Sequence, residues 1–394
     1  MARPFRAVVS ALHGLKARAT AVRFKPFKMG AIRAAIHGAA ATIPRMLRGS
    51  QDNRSLLQAL VADGRPLLLF TGLALVLSGA FALFLSFTGH FLPHDVKFLG
   101  MTERDLCAIN QCRIVHFMFH DRVSFGGVLV AIGAIYMWLA EFPLKAREPW
   151  AWWLFLVSGV AGFASFLAYL GYGYLDSWHG VATLLLLPCF ATGLAVSYTT
   201  LNRPRSFHSL LMTPQVSPKR SGRALVPTDH DSLGRLFLYA TAIGLIGGGL
   251  TIMTVGMTRV FVPQDLSYMG MTAEEVRAVN PRLIPLIAHD RAGFGGGVAV
   301  AGILLLFCAH CARPSRSLWQ VLCFAGVVGF ACAVGVHPVI GYTDWFHLLP
   351  AVLGAGFMAI GLALTYPHMH GRGEGIVATS PRQEAPITNS AAPT

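Results

Sequence analysis

Histidine and aspartate recur together in this chain in a fixed pattern. His120, Asp121 and Arg122 open the string HDRVSFGG, and His289, Asp290 and Arg291 open HDRAGFGG. About sixty residues after each comes a second short string, GYLDSWH at 173–179 and GYTDWFH at 341–347. Asp176 stands three residues before His179, and Asp344 three before His347, so on a helix each pair shares one face. Imidazole and carboxylate are ligands of a divalent transition metal. Two histidines from different helices can also clamp a haem iron, and an Asp–His pair can move protons. The expected metal ligands are His120, His179, His289 and His347, with His120 meeting His179 and His289 meeting His347 inside their own copies. Asp121, Arg122, Asp176, Asp290, Arg291 and Asp344 complete the candidate polar site.

The same residues also fit roles that need no ligand. Asp176 and Asp344 stand where a helix would start, and aspartate is a good N-cap there. Asp121 and Asp290 can cap helices while pairing with their neighbours Arg122 and Arg291. The glycines 126–127 and 295–297 suit close helix packing. Tyr174 and Tyr342 suit interfacial anchoring. His116 and His337 have no histidine counterpart in the other copy; either can extend one site, and the preferred reading of each is an isolated interface residue. If one copy alone is active, the glycine-rich entry at 292–297 favours the second.

The elements that must position these residues are apolar helices. The chain has 394 residues, 54% of them hydrophobic and 13% charged, well below the quarter charged of a soluble domain. Eight runs are long enough to cross a hydrocarbon core, at 66–89, 123–140, 150–170, 178–198, 236–257, 292–311, 318–336 and 345–366. Helices are expected, because backbone groups in lipid must find their partners within the segment. The fold class is therefore all-α, a polytopic membrane protein.

The motifs recur at a nearly constant offset: 170 from Pro93 to Pro263, 169 from His120 to His289 and 168 from His179 to His347. That implies two tandem four-helix repeats. Four spans per unit leave both copies in the same orientation. The expected organisation is a basic N-terminal segment at 1–65, repeats at 66–198 and 235–366, a linker at 199–234 and a disordered tail at 367–394.

Net charge is +14, but its distribution matters more than its size. Termini, linker and the loops near Lys145 and Arg313 hold 24 Lys and Arg against 8 Asp and Glu; the other side holds 8 against 10. The positive-inside rule puts both termini in the cytoplasm. The basic face then reads as contact with the bilayer and its anionic lipid, not with nucleic acid. Residues 1–51 hold one basic residue after another and no acidic one, which suits a surface-lying helix, an organelle transit peptide or an unstructured arm. Cys107 and Cys112 fall on the oxidising side, where they either pair or stay free. The Cys308–Cys311 CxxC has no second CxxC to complete a metal site.

HDRxxFGG followed by GYxDxxH, with the preceding MT–(D/E)–N segment, resembles motifs of uncharacterised multi-pass bacterial membrane proteins, over 93–198 and 263–366. Some proteins with similar strings also carry a flavin domain like dihydroorotate dehydrogenase; nothing of that domain is present in this chain. The resemblance implies a bacterial inner membrane and brings no catalytic assignment. Three readings follow. One is a metal- or haem-binding protein with redox-linked sites at the periplasmic face. Another is a structural or assembly subunit, joined to a membrane partner or to copies of itself. A transporter ranks lower, because its mid-membrane depth would hold almost no ionisable group.

Overall fold

A computed structural model describes residues 55–167, 174, 177–201 and 230–370, with the backbone alone at 56 and 177–179. Residues 1–54, most of the linker, residues 371–394 and Asp176 lie outside the described residues, and positions 367–370, expected in the disordered tail, are helical. A short helix, α1 (Leu56–Val61), belongs to an N-terminal unit ending at Ala62. Ser55 and Gln58 close a capping box at its start.

The second unit is all-helical. Its described helices are α2 (Arg65–Thr88), α3 (Pro93–Leu99), α4 (Glu103–Ile109), α5 (Arg113–Glu141), α6 (Pro149–Leu167) and α7 (Ser177–Thr200), then α8 (His230–Thr258), α9 (Pro263–Met269), α10 (Ala273–Val279), α11 (Leu283–Cys311), α12 (Arg316–Ile340) and α13 (Trp345–His370). Eight of them, all but α3, α4, α9 and α10, are long and apolar enough to cross a membrane. By composition the chain is an integral, multi-pass membrane protein.

Burial sorts the eight into layers. In α5 and α11, 78% and 72% of the apolar window is buried, against 17–39% in the other six. These two helices form the central pair and touch each other. Around them, α2 packs on α5 and α8 on α11, while α12 packs on α5 and α6 on α11. The outer helices α7 and α13 lie against α2 and α8. A helix exposed to lipid keeps its apolar face outward, so low burial costs it nothing in a bilayer.

Two helix pairs meet backbone to backbone. A Cβ built on Gly79 would sit 2.5 Å from the Gly126 carbonyl, and one on Gly249 would sit 2.5 Å from that of Gly295. Only glycine fits these crossings, which is the small-residue packing of membrane helices.

Short helices cap one end of the bundle. Proline opens both α3 and α9, and a left-handed glycine closes each, at Gly100 and Gly270. Thr102 with Asp105, and Thr272 with Glu275, form the capping boxes that start α4 and α10. Their last residues reach across the molecule. Asn110 Nδ2 donates to the Met269 carbonyl at 2.9 Å, and Asn280 Nδ2 to the Leu99 carbonyl at 2.8 Å.

The long helices begin earlier than hydropathy suggests. Apolar runs point to starts at Val123 and Ala292, but α5 starts at Arg113 and α11 at Leu283. Both HDR strings therefore lie inside helices, and Asp121 and Asp290 cap neither one. Their charges stay in the helix because each finds a partner on another element.

Candidate metal centre

Three histidines converge near the end of the bundle that carries the short helices. His120 lies seven residues into α5, His337 three residues before the end of α12, and His347 in the first turn of α13. Each offers a ring nitrogen, and the three nitrogens lie within 4.8 Å of one another. His120 Nε2 and His337 Nε2 stand 3.2 Å apart. His120 and His337 are buried, and His347 is half-buried.

The surroundings aim these rings. Asp121 Oδ1 lies 2.9 Å from His120 Nδ1, which leaves Nε2 facing the other two histidines. The other oxygen of Asp121 accepts from Arg291 Nε at 3.1 Å. Arg291 also pairs with Asp265 at 2.7 Å, and Asp265 accepts the Tyr342 hydroxyl at 2.8 Å. The Tyr342 ring stacks on His347 with centroids 4.5 Å apart. A closed circuit of side chains thus runs from one ligand candidate to another.

A second circuit mirrors much of the first. Arg122 pairs with Asp290 at 3.0 Å and with Asp95 at 2.8 Å. Tyr174 donates to Asp95, and its ring lies 5.0 Å from that of His289. Asp95 occupies α3 where Asp265 occupies α9. The arginine of each HDR string therefore pairs with the aspartate of the other, and not with its own neighbour.

Titration outside the spans follows from these contacts. Burial alone would raise the Asp95 carboxyl, but the Arg122 guanidinium, the Tyr174 hydroxyl and His94 together hold it below its ordinary value. Burial, then the charge of Asp265, pushes the Tyr342 phenol above its ordinary range. Burial and Asp95 do the same to Tyr174. Both tyrosines stay neutral hydrogen-bond donors. They are buried at 2% and 1% exposure, so they are internal struts and not the interfacial anchors expected of them.

The ten expected residues divide as follows. His120 and His347 meet, but across the two halves of the sequence: the first HDR string joins the second GYxDxxH string. Asp121, Arg122, Asp290 and Arg291 form the crossed ion pairs. His289 is buried against Tyr174. Asp344 accepts from the His347 amide at 2.8 Å and caps α13, as its alternative role predicts. Asp176 and the His179 side chain lie outside the described residues. His337 is the ligand candidate that sequence reasoning set aside as isolated, and the lack of a counterpart is what hid it. Asp95 and Asp265 went unnoticed too, although a Pro-x-Asp at the same place in both copies marked them.

The donor set suits a small ion. Two nitrogens bound at about 2.0–2.1 Å to one tetrahedral ion stand about 3.3 Å apart, close to the 3.2 Å between His120 and His337. Ligands on opposite faces of a haem would stand about 4 Å apart with a macrocycle between them, by the same bond lengths. Three histidines with a fourth position open is the donor set of a reactive zinc site. The carboxylate on His120 Nδ1 is the partner such ligands carry.

Comparison with known proteins leaves the chain on its own evidence: no family model, no curated protein and no solved structure matches it.

Proposed function

We propose that the protein is a multi-pass membrane protein that binds one divalent transition metal ion at His120, His337 and His347. The observation that carries this reading is the meeting of three histidine nitrogens within 4.8 Å. Charge supports it. In the circuit beside the histidines, Asp121 and Asp265 face Arg291, so with the histidines neutral that circuit carries one excess negative charge. A dication offsets that excess, and leaving it uncompensated in a low-dielectric interior is costly.

The two circuits also favour a tandem duplication of a four-helix unit, both copies in one orientation. Matching pairs at a near-constant offset include Asn110 and Asn280, Asp95 and Asp265, Tyr174 and Tyr342, and Gly79 and Gly249. The charge asymmetry of the loops favours an extracytoplasmic metal centre and cytoplasmic termini, and the resemblance of the HDRxxFGG and GYxDxxH strings to those of multi-pass bacterial membrane proteins favours a bacterial inner membrane. The disulfide between Cys107 and Cys112 agrees with that side. A metal ion bound there would polarise or activate a ligand at its open position. The protein's own part is to hold three neutral imidazoles, fix the tautomer of His120 through Asp121 and exclude bulk water.

The crossed ion pairs support one other reading, a structural subunit in which the circuits only lock the bundle. Metal analysis separates the two. Protein purified in detergent and exposed to zinc or cobalt should retain about one equivalent after dialysis. His120→Ala, His337→Ala and His347→Ala should each lose it while staying helical. A fully helical protein that holds no zinc, cobalt or copper leaves the structural reading alone.

A further inference from the structure

We infer that the Cys107–Cys112 disulfide is a thiol–disulfide exchange site for a small, carboxylate-bearing thiol, distinct from the metal centre. Cys107 forms part of the wall of an open groove of about 590 Å³, shared with His90, Glu103 and Arg104. That volume falls within the ordinary range for small-molecule clefts. Arg104 is exposed along this wall and supplies a cation for a carboxylate. Both cysteines are half-buried, and Cys107 itself lines the groove.

The bond is not needed to build the corner in which it sits. The corner between α10 and α11 has the same element boundaries 170 residues later, with Arg277 and Arg282 in place of the two cysteines. That corner closes without a sulfur link. The disulfide also closes a ring over a separation of only five residues, where the entropic restraint on the unfolded chain is smallest. At the disulfide corner alone, Gln111 and Cys112 take left-handed backbone angles, φ 47° and 63°, whereas Arg282 has φ −82°. Non-glycine residues hold such angles at a cost. A bond that adds little stability, holds an unfavourable backbone and faces a groove has the features of a reactive disulfide.

The step balances as ordinary exchange. An incoming thiolate attacks Cys107 Sγ, the Cys107–Cys112 bond breaks, and a mixed disulfide forms between the incoming sulfur and Cys107. Cys112 leaves as a thiolate and takes up a proton. A second thiol then attacks the mixed disulfide and releases the pair as dithiol, with the incoming thiols oxidised and the protein disulfide reduced. Asn110 lies inside the ring and Arg113 just beyond it; they hold the Met269 and Tyr268 carbonyls. The redox state of the ring therefore bears on the seat of α9.

The test uses the intact oxidised protein in detergent, with glutathione as the carboxylate-bearing thiol and cysteamine as one without a carboxylate. Freed thiols are capped with a maleimide and located by peptide mass. Under native conditions glutathione should open the bond, and Cys112→Ser treated with oxidised glutathione should carry the adduct on Cys107. Arg104→Gln should slow the reaction with glutathione roughly five- to tenfold and with cysteamine less than twofold. The double variant Cys107→Ser, Cys112→Ser should keep its helical content. The proposal is overturned if the bond opens only on denaturation, if Arg104→Gln slows both thiols alike or neither, or if the double variant fails to fold.

Discussion

Asp121 touches both systems in this molecule at once. One oxygen holds His120 Nδ1 and the other holds Arg291. The first contact fixes which imidazole nitrogen faces His337; the second ties that choice to Asp265 and Tyr342. Asparagine in its place keeps the shape but loses the charge, and its amide can present hydrogens to Nδ1. Asp121→Asn should therefore lower zinc affinity by about 10–100-fold, the usual effect of losing such a partner. Competition against a chelator of known affinity measures this, and circular dichroism confirms that the fold survives. Unchanged affinity would remove Asp121 from the metal centre. At this scale the sequence announced most of the polar residues, because both copies keep them. It offered His337 as an extension of one site but preferred it as an isolated residue, since a residue lacking a counterpart carries no signal from internal comparison.

The helices show where hydropathy stops being informative. Runs of apolar residues located all eight spans, but they ended at His120–Arg122 and His289–Arg291, because charged side chains interrupt any hydropathy average. The helices continue through both strings since the charges are paired within the bundle. Helix crossings follow a rule that sequence only hints at. Gly249 and Gly244 are both glycines in the middle of α8, yet a Cβ at Gly249 meets the Ala299 amide at 2.4 Å while one at Gly244 meets nothing within 4 Å. Gly249→Ala should destabilise by about 1–3 kcal/mol, the cost of forcing two backbones apart. Gly244→Ala should be neutral or gain up to about 1 kcal/mol from helix propensity. Thermal unfolding in detergent reads both, and equal shifts would contradict the backbone contact.

For the whole molecule, the pairing across the two halves has a direct consequence. His120 comes from the first half of the chain, whereas His337 and His347 come from the second. Neither half alone contains all three histidines. Chains cut between residues 201 and 230 should bind no zinc when expressed singly and about one equivalent when expressed together. One equivalent retained by the first half alone would sink the three-histidine assignment. The same exchange of partners shapes the ion pairs, with Arg122 on Asp290 and Arg291 on Asp121. Removing one arginine leaves two buried carboxylates facing each other. Arg291→Met is thus expected to cost about 3–5 kcal/mol, the penalty for a buried charge without its partner, measured as lost thermal stability.

Composition and spacing determined by themselves that the chain is helical and holds eight segments long and apolar enough to cross a membrane. Each of those follows from the local content of a segment, since a run of apolar residues stays helical in lipid whatever its neighbours are. Which histidine meets which was decided only by the tertiary structure. Expectation paired His120 with His179 and His289 with His347, inside each copy. The packing of α12 against α5, and of α13 against α12, brings His337 and His347 to His120, while the His179 side chain lies outside the described residues; partner choice depends on how helices from opposite ends of the chain lie side by side, and no single segment encodes that.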